Sequence, residues 1–102
     1  MHNKEEQVSQ LITNANQGLN FLRIVLDDLI IRRNEFAPEI QSRIFAVQKN
    51  YKIHKAVLTN IENFLLDRKL PLPVNLLDNL AINLRTRIGK IINDTIDLDR
   101  LR

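Results

Sequence analysis

The groups able to do chemistry in this 102-residue chain are few: two histidines, two serines, twelve carboxylates and no cysteine. Neither Ser9 nor Ser42 has a base near it in the sequence, so neither reads as an activated nucleophile. Asp27 and Asp28 resemble a paired-carboxylate acid–base site, but adjacent residues on a helix point ~100° apart and do not face one another. They are expected to be solvated or ion-paired acids. No His-x-x-x-His or Glu-x-x-His helical ligand pair is present, and without cysteine there is no thiolate zinc site. Gly18 and Gly89 stand alone, whereas a phosphate-cradling loop needs clustered glycines. No catalytic residue, metal ligand or cofactor site is expected, and the chain is expected not to be an enzyme.

His54 is the imidazole that falls on an apolar repeat, and a hydrogen-bonded core histidine is the expectation for it. Folding the first predicted helix back on the second sets Tyr51 and His54 level with residues 17–20. Gly18 is therefore expected to leave room for one of these two rings, with an Asn or Gln as polar partner. A tolerated weak point or kink is the other reading of this glycine.

Charge carries more information than the titratable groups do. The net charge is +3, and between Glu39 and Glu62 no acid occurs. Arg43, Lys49, Lys52 and Lys55 lie in that interval, and Arg85, Arg87 and Lys90 occupy a second acid-free stretch. Antiparallel packing brings the two stretches to the same level, where they are expected to merge into one basic belt with Arg23 adjoining. Such a belt suits a phosphate backbone, since each contact releases counterions without reading sequence. It lacks interleaved aromatics for base stacking and any recognition-helix motif.

The elements that must position these residues are helices. Two glycines, three prolines and no tryptophan leave few turns, and no alternating apolar pattern supports a strand. Three helices are expected over about 4–33, 38–69 and 75–100, joined by breaks at Asn34-Glu35-Phe36-Ala37-Pro38 and Leu70-Pro71-Leu72-Pro73. Pro38 suits the first position of the second helix, and Asn75 is the expected N-cap of the third. Asp94, Asp97 and Asp99 near the end of the third helix oppose its macrodipole, so its last turn is expected to fray or be held.

The second helix repeats apolar residues at Ile40, Ile44, Val47, Tyr51, His54, Leu58, Ile61 and Leu65. The third does so at Leu77, Ala81, Leu84, Ile88, Ile91, Thr95 and Leu98. Spacings that alternate four and three define a seven-residue period, the mark of coiled-coil-like packing. A flanking line of Ala46, Ile53, Val57 and Phe64 predicts that the second helix touches two neighbours. Short connections make neighbours antiparallel. The fold class expected is all-α: an elongated up-down-up antiparallel three-helix bundle forming a single domain.

Residues 19–31 are the most apolar stretch. Phe21, Leu22, Val25, Leu26, Leu29, Leu19 and Ile30 fill an arc of about half the helix, wider than the ~100° stripe of a surface helix. Ile24 and Ile31 form a separate line on the same helix, and Ile82 and Ile96 fall off the seam of the third. Apolar residues outside the seams point to a protein partner or self-association. The expected function is a small non-enzymatic interaction protein, such as an adaptor, an inhibitor or immunity-like factor, or a subunit of a larger assembly. The alternative is a sequence-nonspecific nucleic-acid-backbone binder. Arg23, Asp27 and Asp28 interrupt the greasiest run, so no membrane span is expected, and residues 1–10 lack a signal-peptide core. A cytoplasmic location follows as the expectation.

Overall fold

A computed structural model describes residues 3–67 and 71–102. Three long helices account for nearly all of them: α1 (Lys4–Ile31), α2 (Pro38–Asp67) and α3 (Val74–Asp99). The architecture is an all-α three-helix bundle in which α1 packs against both other helices, more extensively against α3 than against α2. At ~1.5 Å rise per residue, helices of this length make an elongated body, and its extents are 52 × 24 × 17 Å.

Local chemistry sets the helix ends. Asn3 caps α1, its Oδ1 accepting from the Glu5 backbone N–H at 2.8 Å. α1 stops at Ile31, two residues short of the expected end, and a 3₁₀ turn over Arg33–Glu35 follows. The Arg33 guanidinium donates to the Ile30 carbonyl at 3.0 Å there, and so satisfies one of the last helical acceptors. Pro38 opens α2 as the sequence predicts. The Gln41 side-chain amide reaches back to the Phe36 carbonyl at 2.8 Å and ties the connection to the helix it precedes.

The start of α3 differs from the expectation. Pro73, not Asn75, takes the N-cap position, and no side chain caps the helix. Proline has an extended ψ of 145° here, and its carbonyl accepts from the Leu77 N–H at 3.1 Å, which begins the helical ladder two residues early. Asp78 accordingly pairs with Lys4 of α1 at 2.8 Å instead of serving the helix end. At the other end, Arg102 holds Asp99 at 3.0 Å. Lys69 and Leu70, the expected end of the second helix and start of its following break, lie outside the described residues.

The seven-residue seams form the core. Ile44 and Leu58 of α2, and Leu84, Ile91 and Leu98 of α3, are fully buried beside Leu19, Leu22, Val25, Leu26 and Leu29 of α1. Each such side chain contributes roughly 1.5–3 kcal/mol of transfer free energy. Thr95 satisfies its hydroxyl by donating to the Ile91 carbonyl at 2.7 Å.

Gly18 faces α3 rather than α2. A Cβ placed on it would lie 3.2 Å from Ile91 Cγ2, so the glycine accommodates the close approach of an isoleucine and not a Tyr51 or His54 ring. The expected placement fails because α1 presents this flank to α3, its main packing partner. Lys4–Asp78 and Gly18–Ile91 have nearly the same sequence separation, so α1 and α3 run parallel. The Asn16 amide donates to Glu62 at 2.8 Å and links α1 to α2.

α2 and α3 are the least closely packed pair. The flanking line of α2, expected to meet a second neighbour, stays largely open: Ile53 and Phe64 are exposed, Ala46 is exposed and Val57 only half-buried. Phe21, which the helical arc of residues 19–31 puts in the core, is also half exposed. The core is narrower than that arc, because Val25 and Leu29 already fill the flank of α1 that meets α3.

Candidate functional site

Ile24 and Ile31 lie on the side of α1 opposite its buried seam, and they are 53% and 81% exposed. Their isolation follows from the 3.6-residue period, which turns them roughly 120–180° away from Leu19, Leu22 and Leu26. Parallel packing with the Gly18–Ile91 register puts Ile24 level with Ile96. Ile96 and Ile92 are exposed on α3, and Phe21 is exposed one turn before Ile24. Phe21, Ile24, Ile92 and Ile96 thus share one level of the α1–α3 side of the bundle. The sequence put Phe21 in the core arc and did not single out Ile92. The signal for Ile92 was its place just beside the α3 seam.

Ile82, grouped with these by sequence, is exposed but stands apart. It lies roughly 20 Å along α3 from Ile96, in a shallow groove lined by Asn79, Asn83, Thr86, Arg87 and Lys90. The four isoleucines are therefore not one continuous seam.

The basic residues also divide. Arg85 faces the groove between α1 and α3, beside Glu6, Gln7, Gln10 and Leu11. Arg87 and Lys90 instead line the groove between α2 and α3, beside Asn50, Ile53, His54, Asn93 and Asp94. Lys49, Lys52, Lys55 and Arg43 of α2 are all exposed, and Arg43 points ~180° away from Lys52 around the helix. A single merged belt is not what the helices present, because residues 85 and 87 point ~160° apart on one helix. Arg23 is engaged by Asp27 at 3.7 Å. Asp28 goes separately to Arg32 at 3.2 Å, so Asp27 and Asp28 diverge as adjacent helical residues must.

Among the described residues the ion pairs use Lys4, Arg23, Arg32 and Arg102. None involves Arg43, Lys49, Lys52, Lys55, Arg85, Arg87 or Lys90. Glu39 and Asp94 stand one helical turn from Arg43 and Lys90 without pairing with them.

His54 is buried, and its Nδ1 lies 3.1 Å from Arg87 Nη1. Arginine has no acceptor, so the guanidinium donates, Nδ1 accepts and the ring proton sits on Nε2. Arg87 Nε also donates to Asn83 Oδ1 at 2.9 Å. Burial pushes the His54 pKa below the ordinary histidine value; the positive charges of Arg87 and Lys90 lower it further, and Asp94 opposes them. Those three charges all come from α3. His54 is thus the expected core histidine, with an arginine of α3 rather than an amide of α1 as its partner.

Among the described residues no group of three His, Asp or Glu side chains converges as a metal site, and no helix is long and apolar enough to cross a membrane. Comparison of the chain with protein-family profiles, with characterised proteins and with solved structures finds no match.

Proposed function

We propose that this chain is a small non-enzymatic interaction protein, an adaptor, inhibitor or assembly subunit working in the cytoplasm, which engages a protein partner or a second copy of itself through the apolar outer side of α1. The observation that carries this reading is the exposure of Ile24 and Ile31, 53% and 81%, on a helix whose opposite side is completely buried. Isolated exposed isoleucines are ordinary, but Phe21, Ile92 and Ile96 at the same level make this a clustered surface. Sizing and cross-linking of the full chain test it. Ile24→Asp with Ile31→Asp is expected to abolish association while leaving the helical circular dichroism unchanged. A strict monomer at all concentrations, with partner capture indifferent to both substitutions, overturns it.

A second reading is supported by Lys49, Lys52 and Lys55, exposed cations of α2 that form no ion pair. In it, the outer side of α2 binds a nucleic-acid backbone without reading bases, as a helical small subunit of a ribonucleoprotein does. Labelled RNA or DNA is then expected to shift at low salt, with affinity falling steeply as salt rises. Neutralising Lys49, Lys52 and Lys55 is expected to remove about three units of the salt slope. Absence of any binding at low salt excludes this reading.

A further inference from the structure

We propose that Arg87 and Lys90 form an anion site at the α2–α3 groove, which takes a phosphate group. Arg87 is held by two uncharged acceptors on two different helices, Asn83 Oδ1 at 2.9 Å and His54 Nδ1 at 3.1 Å. Two of its five N–H donors are thereby spent on fixing the guanidinium, and three remain for a ligand. The usual reason for pinning an arginine is a carboxylate, and here none pairs with it. Lys90 lies one turn further along the same helix, exposed and unpaired.

The surroundings are built from neutral polar groups. Two shallow grooves meet at Arg87 and Lys90: Asn50 and Asn93 line one, and Asn79, Asn83 and Thr86 line the other. Asp94 is the acid in the first groove, and it sits a full turn beyond Lys90. An anion therefore settles toward the Asn83 end, where every polar neighbour of the two cations is uncharged. A preorganised planar guanidinium and a mobile ammonium at this spacing match the oxygens of a phosphate group, the first by directed hydrogen bonds and the second as a point charge. The site is independent of the apolar outer side of α1, so it stands or falls separately from the protein-partner reading.

The test is a titration of the full chain, isotopically labelled, with inorganic phosphate and pyrophosphate at pH 7.5 and low salt, followed by NMR. Saturable shifts are expected at the Arg87 Nε–H, the Lys90 side chain and the Asn83 amide, and matched additions of chloride are expected to leave them still. The His54 titration midpoint rises on saturation, because the anion offsets the two cations that hold it down. Lys90→Gln, at an exposed position with no structural contact to lose, is expected to weaken binding about tenfold. Asn83→Ala keeps the charge but frees the guanidinium, and weakens binding by a smaller factor. A short oligonucleotide distinguishes the sources: competition at the same resonances identifies a phosphodiester backbone, and phosphate binding without competition identifies a free phosphate compound. No saturable shift, or shifts that survive both Lys90→Gln and Arg87→Gln, overturns the proposal.

Discussion

The two glycines give opposite lessons about what a single residue does in a helix. Gly89 is exposed, and a Cβ there would meet nothing within 4 Å. Gly89→Ala is therefore expected to gain up to about 1 kcal/mol from helix propensity alone, seen as a higher urea midpoint with an unchanged slope. At Gly18 the same gain is opposed by Ile91 Cγ2 at 3.2 Å, so Gly18→Ala is expected to fall well short of it. Gly18→Leu cannot be accommodated between parallel helices and should cost about 1–3 kcal/mol as an overpacked core. A Gly18→Leu variant as stable as the parent would show that α1 and α3 do not approach closely here. Sequence periodicity places Gly18 at the edge of the buried face, but which neighbour it faces depends on how the helices pack laterally.

Between elements, the His54–Arg87 contact is a polar link across the least closely packed pair of helices. Protonation of His54 would turn its Nδ1 into a donor facing a guanidinium, and the pair would separate. Because the folded pKa lies below the ordinary value, the unfolded chain binds the proton more readily. The contribution of His54 to stability is complete above the unfolded histidine pKa of about 6.5. It declines as pH falls from there toward the lowered folded value. Urea midpoints at pH 7.5 and 5.5 should show this loss, with a slope of at most about 1.4 kcal/mol per pH unit from one group. His54→Gln should flatten the profile in that window, and an equally steep profile in the variant would assign the effect elsewhere. Sequence marked His54 as a core residue because it completes a seven-residue period. Its partner was not legible, since Arg87 belongs to a helix thirty-three positions away and was read as one member of a basic belt.

At the scale of the molecule, α1 is the helix around which the others are arranged. Leu19, Leu22, Val25, Leu26 and Leu29 are all at most 2% exposed, so its inner side is saturated and its outer side is free to do something else. Ile24→Asp and Ile31→Asp should then leave the melting temperature of the monomer unchanged to within the effect of about 0.5 kcal/mol expected at a surface site. A large loss of stability would mean that these isoleucines are structural after all. The elongated shape presents long open grooves between helices rather than an enclosed cavity, which suits recognition of extended partners or charged groups.

Sequence by itself determined the three helices, their antiparallel order and nearly every core position, because the seams obey a period that chain geometry imposes locally. It also determined that Lys49, Lys52 and Lys55 lack acidic partners on their own helix, since the acid-free stretch between Glu39 and Glu62 leaves none within a helical turn. Tertiary structure alone decided the rest. It opened the flanking line of α2, put Phe21 on the surface, turned Arg85 away from Arg87, and set Gly18 against Ile91. Each depends on the lateral angle at which one helix meets another. That angle is fixed by packing of all three together, and no single helix's period contains it.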